Sequence, residues 1–233
     1  MTKSATRETA DIAGVVGRKN AIINGNFDIW QRGTSQTGGS LGSDDRWYNS
    51  LSGSTQVASR QEFALGQTDV PNNPKYYART VISSVAGVAN RAFKVQHIEG
   101  VETFAGTTAT LSFWAKADSA KNIAIEFYQG FGTGGTSPAP STGIEEIGVT
   151  TVALTTSWAK HTVSVAVPSI ANKVLGTDGN DFFQLAFWLD AGSDYNARTN
   201  SLGQQSGTFE FSQIQMEAGS VATEFEPRSV GEE

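Results

Sequence analysis

Leu111-Ser112-Phe113-Trp114-Ala115-Lys116 is the stretch on which the fold turns. Side chains alternate across an extended strand, so Leu111 and Phe113 share one face and Trp114 and Lys116 the other. The run Ile123-Ala124-Ile125-Glu126-Phe127-Tyr128 repeats the design, with Ile123, Ile125 and Phe127 set against Glu126 and Tyr128. Gln184-Leu185-Ala186-Phe187-Trp188-Leu189-Asp190 repeats it again: Leu185, Phe187 and Leu189 oppose Gln184, Trp188 and Asp190. Each run has an apolar face fit for a core and a second face that mixes a large aromatic with a carboxylate, amine or amide.

Working outward, strand-like runs recur around 45–51, 55–62, 76–83, 91–98, 107–116, 122–129, 146–154, 158–167, 182–190 and 207–217. Turn-rich stretches separate them, notably Gly33–Ser43, Gln67–Pro74, Gly130–Gly143 and the long Ala191–Gly207. The 25 glycines among 233 residues fit many short strands joined by turns. No heptads, fixed-period repeat or sustained helical periodicity interrupts the series. Strands without helices predict an all-β fold, a two-sheet antiparallel jelly-roll sandwich. Residues 1–19 are polar, with one weak helical stretch, and read as an N-terminal arm that orders on a partner or stays partly disordered. Residues 20–233 form the domain. In Phe209-Glu210-Phe211-Ser212-Gln213-Ile214-Gln215-Met216 the apolar set moves from odd to even positions. That shift of phase predicts a β-bulge, or a strand that changes sheets at Ser212.

The mixed face carries the functional reading. A flat aromatic beside a carboxylate suits stacking on a sugar ring while hydrogen-bonding its hydroxyls. Trp114, Trp188 and Tyr128 would stack, and Glu126, Asp190 and Lys116 would bond. The alternative is a face covered by a long loop or by another subunit.

Composition excludes several classes. The net charge is −6 without a basic block, which argues against a nucleic-acid partner. No run of about 20 apolar residues predicts a membrane span, and the first residues lack the apolar core of a secretion signal. Cysteine is absent, which removes disulfides, thiolate metal sites and a cysteine nucleophile. His97 and His161 stand in separate runs without partners at metal or triad spacing. The glycine-rich Gly130–Thr136 lacks the Lys-Ser/Thr of a phosphate loop. Glu126 and Asp190 form a carboxylate pair of the kind that serves either sugar binding or hydrolysis, and binding is the expectation. Asn26 and Asp28 with Glu217, or Asp44-Asp45, are candidate ligands for a structural calcium ion, though they also suit turns and caps. No cofactor is required.

Asn20-Ala21-Ile22-Ile23-Asn24-Gly25-Asn26-Phe27-Asp28-Ile29-Trp30-Gln31-Arg32-Gly33 resembles the opening of a domain common in bacteriophage tail-fibre and other virion-surface proteins. Further segments follow in the family's order: Asp45-Arg46-Trp47, Gln96–Gly106, Thr110–Lys116, Gln129–Gly135, Ser157-Trp158 and Gln213–Arg228. The family is similar in fold to jelly-roll carbohydrate-binding modules, which implies glycan recognition and in some members a structural calcium. The resemblance implies a non-enzymatic structural protein on the virion surface, assembled in the host cytoplasm, that attaches to host polysaccharide. A tail fibre, head fibre or capsid decoration protein all fit a short arm and one domain. Residues 1–19 would dock on other virion proteins, and a homo-oligomer such as a trimer is expected. The rival readings are a purely structural decoration or cement protein without sugar binding, and a polysaccharide depolymerase.

Overall fold

The computed structural model describes residues 18–136 and 144–228. Twelve strands occur among them: β1 (Ser35–Thr37), β2 (Ser40–Leu41), β3 (Tyr48–Ser52), β4 (Thr55–Glu62), β5 (Tyr76–Ser83) and β6 (Arg91–Glu99) in the first half. The second half supplies β7 (Thr108–Ala117), β8 (Lys121–Gly130), β9 (Ile144–Leu154), β10 (Ala159–Ala166), β11 (Phe182–Ala191) and β12 (Gly207–Ala218). A 3-10 turn (Ser193–Tyr195) and a single helical turn, α1 (Asn196–Thr199), lie between β11 and β12.

The strands form two six-stranded sheets, ordered β1-β4-β5-β12-β7-β10 and β2-β3-β6-β11-β8-β9, with the paired strands antiparallel. This is the expected jelly-roll sandwich. All ten strand-like runs of the sequence are strands. The Gly33–Ser43 stretch, expected as a turn, also holds β1 and β2; they are short and largely exposed edge pieces, so no apolar alternation marks them.

The apolar faces meet as the alternation requires. Phe113, Phe187 and Phe211 are fully buried at the centre. The Phe113 and Phe187 rings meet edge to face at 5.2 Å, and Phe187 lies 5.3 Å from Phe211. The phase shift in β12 is a bulge within one sheet. Ser212 pairs with Trp114 and Gln215 with Ser112, so two residues of β12 oppose one of β7. Gln213 takes the extra position at φ 50°, and Phe209, Phe211, Ile214 and Met216 all reach the core.

The Asn20–Asn24 segment closes the sandwich by bonding to both sheets. Ala21 N–H donates to the Met216 carbonyl at 2.8 Å, and Ile23 exchanges hydrogen bonds with the Gln96 amide at 2.8 and 2.9 Å. Gly25 lies so close to β12 that a Cβ would sit 2.1 Å from the Ile214 carbonyl oxygen. Behind this segment the Lys94 ammonium is fully buried and donates to Asp44 Oδ2, with the Phe27 and Trp47 rings within 6 Å.

Candidate functional site

The six sequence-predicted sugar contacts do not share a face. Trp114 and Lys116 lie on β7, on the outer side of the first sheet; Trp188, Glu126 and Tyr128 lie on the outer side of the second. Alternation separates inside from outside along each strand but carries no information about which sheet a strand joins, so the expected common face is corrected. Lys116 pairs with Glu210 at 3.0 Å and rests over the Trp158 ring. Glu210 also accepts from Arg79 Nε at 2.6 Å.

Asp190 leaves the Trp188 face through a bulge in β11. Trp188 pairs with Phe93 but Asp190 pairs with Ala92, a core residue. The fully buried Asp190 carboxylate accepts from Ser54 Oγ (2.6 Å), Ser84 Oγ (2.8 Å) and Gln205 N–H (2.8 Å). It therefore anchors the start and end of the β11–β12 connection rather than facing a ligand.

That connection covers the centre of the second sheet. Tyr195 and Leu202 pack with Ala124, Ala186 and Trp188 as a small second core. The Trp188 ring is fully buried, stacked on Phe93 at 4.3 Å with Tyr195 at 5.3 Å and the Arg198 guanidinium at 5.1 Å. Its indole N–H donates to Glu126 Oε2 at 2.8 Å. Arg198 donates to both Glu126 oxygens, at 2.6 and 2.9 Å. Burial raises the Glu126 pKa, opposed by Arg198 and Trp188, which stabilise the carboxylate. Both predicted carboxylates are thus cap anchors, and the Trp188–Glu126 pair is built into the protein.

Beside the cap, the same face stays open. A groove of about 480 Å³ runs over β3, β6, β11 and β8, lined by Tyr48, Ser50, Phe93, Val95, His97, Gln184 and Tyr128, with Leu41, Arg46 and Glu99 at the rim. Its floor is an ordered row. The His97 ring stacks on Phe182 at 3.8 Å, almost parallel, and shares a hydrogen bond with Gln184 Oε1 at 2.8 Å. Gln184 is buried, and its Nε2 lies beside the Tyr128 hydroxyl with no hydrogen bond closed to it. Partial burial lowers the His97 pKa, which favours the neutral ring at pH 7. Burial pushes the Tyr128 hydroxyl up to about 12, so it remains a protonated donor. Tyr48 is 42% exposed and Leu41 60%, giving the groove an apolar flank.

Of the predicted contacts, Tyr128 alone lines this groove. Tyr48, Phe93, His97 and Gln184 were not singled out by the sequence as contacts. Their signal is the β6 alternation Phe93, Val95, His97, Glu99, another outer face that mixes aromatic and carboxylate. Among the described lining residues Glu99 is the one carboxylate, and it faces Arg46 at 3.8 Å.

Two of the calcium candidates, Asp28 and Glu217, accept hydrogen bonds within the protein. Asn26 Nδ2 donates to Asp28 at 3.0 Å, and burial raises the Asp28 pKa. Glu217 accepts from Thr223 N–H and Oγ and from Gln215. Among the described residues no group of three or more acidic, histidine or cysteine side chains is placed to hold a metal ion.

No family model matches the chain, and no curated protein matches it. Among solved structures, a family 4 carbohydrate-binding module is similar with a TM-score of 0.45 at 20% identity, covering 85% of this chain and 99% of that one. A family 61 module in complex with β-1,4-galactotriose gives 0.42 at 9% identity, over 87% and 100% of the two chains. The enzymatically active domain of tailspike protein 4 of bacteriophage CBA120 gives 0.45 at 12% identity over 85% of this chain, which spans 21% of the tailspike chain. At these identities the likeness concerns fold.

Proposed function

We propose that this chain is a non-enzymatic glycan-binding protein whose ligand lies in the groove over β3, β6, β11 and β8. One observation carries the reading: a buried amide, Gln184 Nε2, with no hydrogen bond closed to it and the Tyr128 hydroxyl beside it, at the floor of an open groove flanked by aromatic rings. A pyranose ring presents an apolar face for Tyr48 and Phe93 and hydroxyls for Gln184, His97 and Tyr128. The setting that fits the resemblance is the surface of a bacteriophage virion, as tail fibre, head fibre or capsid decoration, with host polysaccharide as ligand. Residues 1–19 would dock on other virion proteins, though residues 1–17 lie outside the described residues. Single contacts of this kind contribute about 0.5–1.5 kcal/mol, so binding is weak per site and strengthened by many copies, in a homo-oligomer or on the particle.

The test is a glycan array that includes neutral plant polysaccharides and bacterial surface polysaccharides, probed with the wild type and with His97→Ala and Gln184→Leu. Binding by the wild type that falls at least about fivefold in each variant supports the reading, since each removes about 1 kcal/mol or more of contact. Equal binding by all three proteins overturns the groove assignment. Release of reducing ends from a bound polysaccharide would instead favour the depolymerase reading. Failure to bind any glycan, with the groove residues protected from solvent in assembled particles, would favour the structural decoration protein.

A further inference from the structure

The cap determines which part of a glycan the groove can hold. In register, His97, Gln184 and Tyr128 form one row across β6, β11 and β8. The next rows are Val95, Ala186 and Glu126, then Phe93, Trp188 and Ala124. The β6 ends of these rows line the groove, whereas Ala186, Glu126, Trp188 and Ala124 are buried. A chain that enters over Tyr48 and Val95 and crosses the strands meets Arg198, held by two hydrogen bonds to Glu126. Along the first row it meets Tyr128, with the Arg198 guanidinium 5.8 Å from its ring. Beyond this wall lies a separate hollow of about 220 Å³, lined by Glu126, Glu146, Val149, Ala197 and Arg198. The outer face of the sheet is therefore divided in two, and the groove is closed on its β8 side.

Resting on the glycan-binding reading, we infer that the groove receives the end of a neutral glycan chain and not a stretch from its middle. The wall blocks a polymer that crosses the strands from β6 toward β9. The charges agree with a neutral ligand. Arg198 is engaged by Glu126, with Glu146 at 3.6 Å, and Arg46 faces Glu99. The 480 Å³ of space lies in the lower half of the range for small-ligand sites, about 300–1,000 Å³, which fits a short terminal segment.

The experiment uses the full chain and three probes: xylan, mixed-linkage β-1,3-1,4-glucan and β-1,4-galactan. Each is offered intact and after partial cleavage, at equal mass. Binding at limiting probe is expected to increase about tenfold when cleavage raises the number of chain ends tenfold. Binding that follows mass and ignores ends overturns the chain-end inference and leaves the glycan reading standing. No binding to any probe in either form overturns the inference of a neutral chain end, and the array with bacterial surface polysaccharides then decides the glycan reading. A second measurement takes Arg198→Ala with Tyr195→Ala, checked for folding by near-ultraviolet circular dichroism. Opening the wall is expected to raise binding to intact polymer about tenfold. A folded variant that keeps the wild-type preference for ends removes the wall as its cause. If the double variant does not fold, the comparison of intact and cleaved probes on the wild type still decides.

Discussion

Lys94 shows how much a single residue decides here. Nothing in Phe93-Lys94-Val95 announces burial, yet alternation turns Phe93 and Val95 outward and sends Lys94 into the core. There its ammonium meets Asp44, and one carboxylate oxygen, Oδ1, keeps no partner. Removing one member of such a pair strands the other charge away from water. Lys94→Met should cost about 3–5 kcal/mol in urea denaturation, and the double change Lys94→Met with Asp44→Leu distinctly less. The histidines set a pH dependence. Burial lowers the pKa of both His97 and His161, and His161 Nε2 is buried without a partner. Below the ordinary value near 6.5 the unfolded chain takes up protons that the native chain refuses. Their stabilising contribution is therefore complete above that value and is lost as the pH falls toward the lower folded values. The thermal midpoint should drop between pH 7 and pH 5, and His161→Phe should flatten the drop; an unchanged slope would remove His161 from the account.

At the scale of elements, the β11–β12 connection is the instructive case. Its helical turn, α1, has four residues and no intrinsic stability. It is held from below by Glu126 and at its ends by Asp190, and Gly192 lets it begin within reach of the β5–β6 turn: a Cβ there would lie 2.3 Å from the Val88 carbonyl. Hydrogen bonds to charged groups contribute about 1.5–3 kcal/mol, so Arg198→Ala should speed amide exchange across 193–205 by about tenfold or more, with the β6 and β11 core amides unchanged. Exchange that stays at the wild-type rate would mean that Tyr195 and Leu202 alone hold the cap. The same element marks the limit of what the sequence discloses. The core faces of β7, of β8 and of β11 as far as Leu189 were legible from alternation, and even the β12 bulge was legible, because Phe211 and Ile214 change parity; the β11 bulge that turns Asp190 inward was not. Which sheet each strand joins was not legible, because pairing is non-local; Trp114 and Trp188 look alike in sequence and end on opposite sides of the molecule. Nor was the cover over Trp188 legible, since Arg198 and Glu126 meet across 72 positions. The groove stayed unseen for the same reason: it is the part of the outer face that the cap leaves open.

For the whole molecule the question is whether two sheets fold as one. The inner faces interlock through Phe113, Phe187 and Phe211, and the Asn20–Asn24 segment bonds to β12 in one sheet and to β6 in the other. Long-range pairings dominate, so neither sheet has a local route to stability; each buries its apolar face on the other alone. Unfolding should then be a single transition, with strand content by far-ultraviolet circular dichroism and tryptophan fluorescence lost together. Gly25→Ala probes the same coupling at the closing segment. The added methyl meets the Ile214 carbonyl, backbone that moves only if β12 or the segment shifts. Overpacking of this kind costs about 1–3 kcal/mol, which at this chain length lowers the thermal midpoint by about 2–6 °C. Because Gly25 and Ile214 join parts that serve both sheets, the two signals should move down by the same amount. A fluorescence transition that falls while strand content holds would mean that the segment closes an already folded sandwich instead of helping to form it.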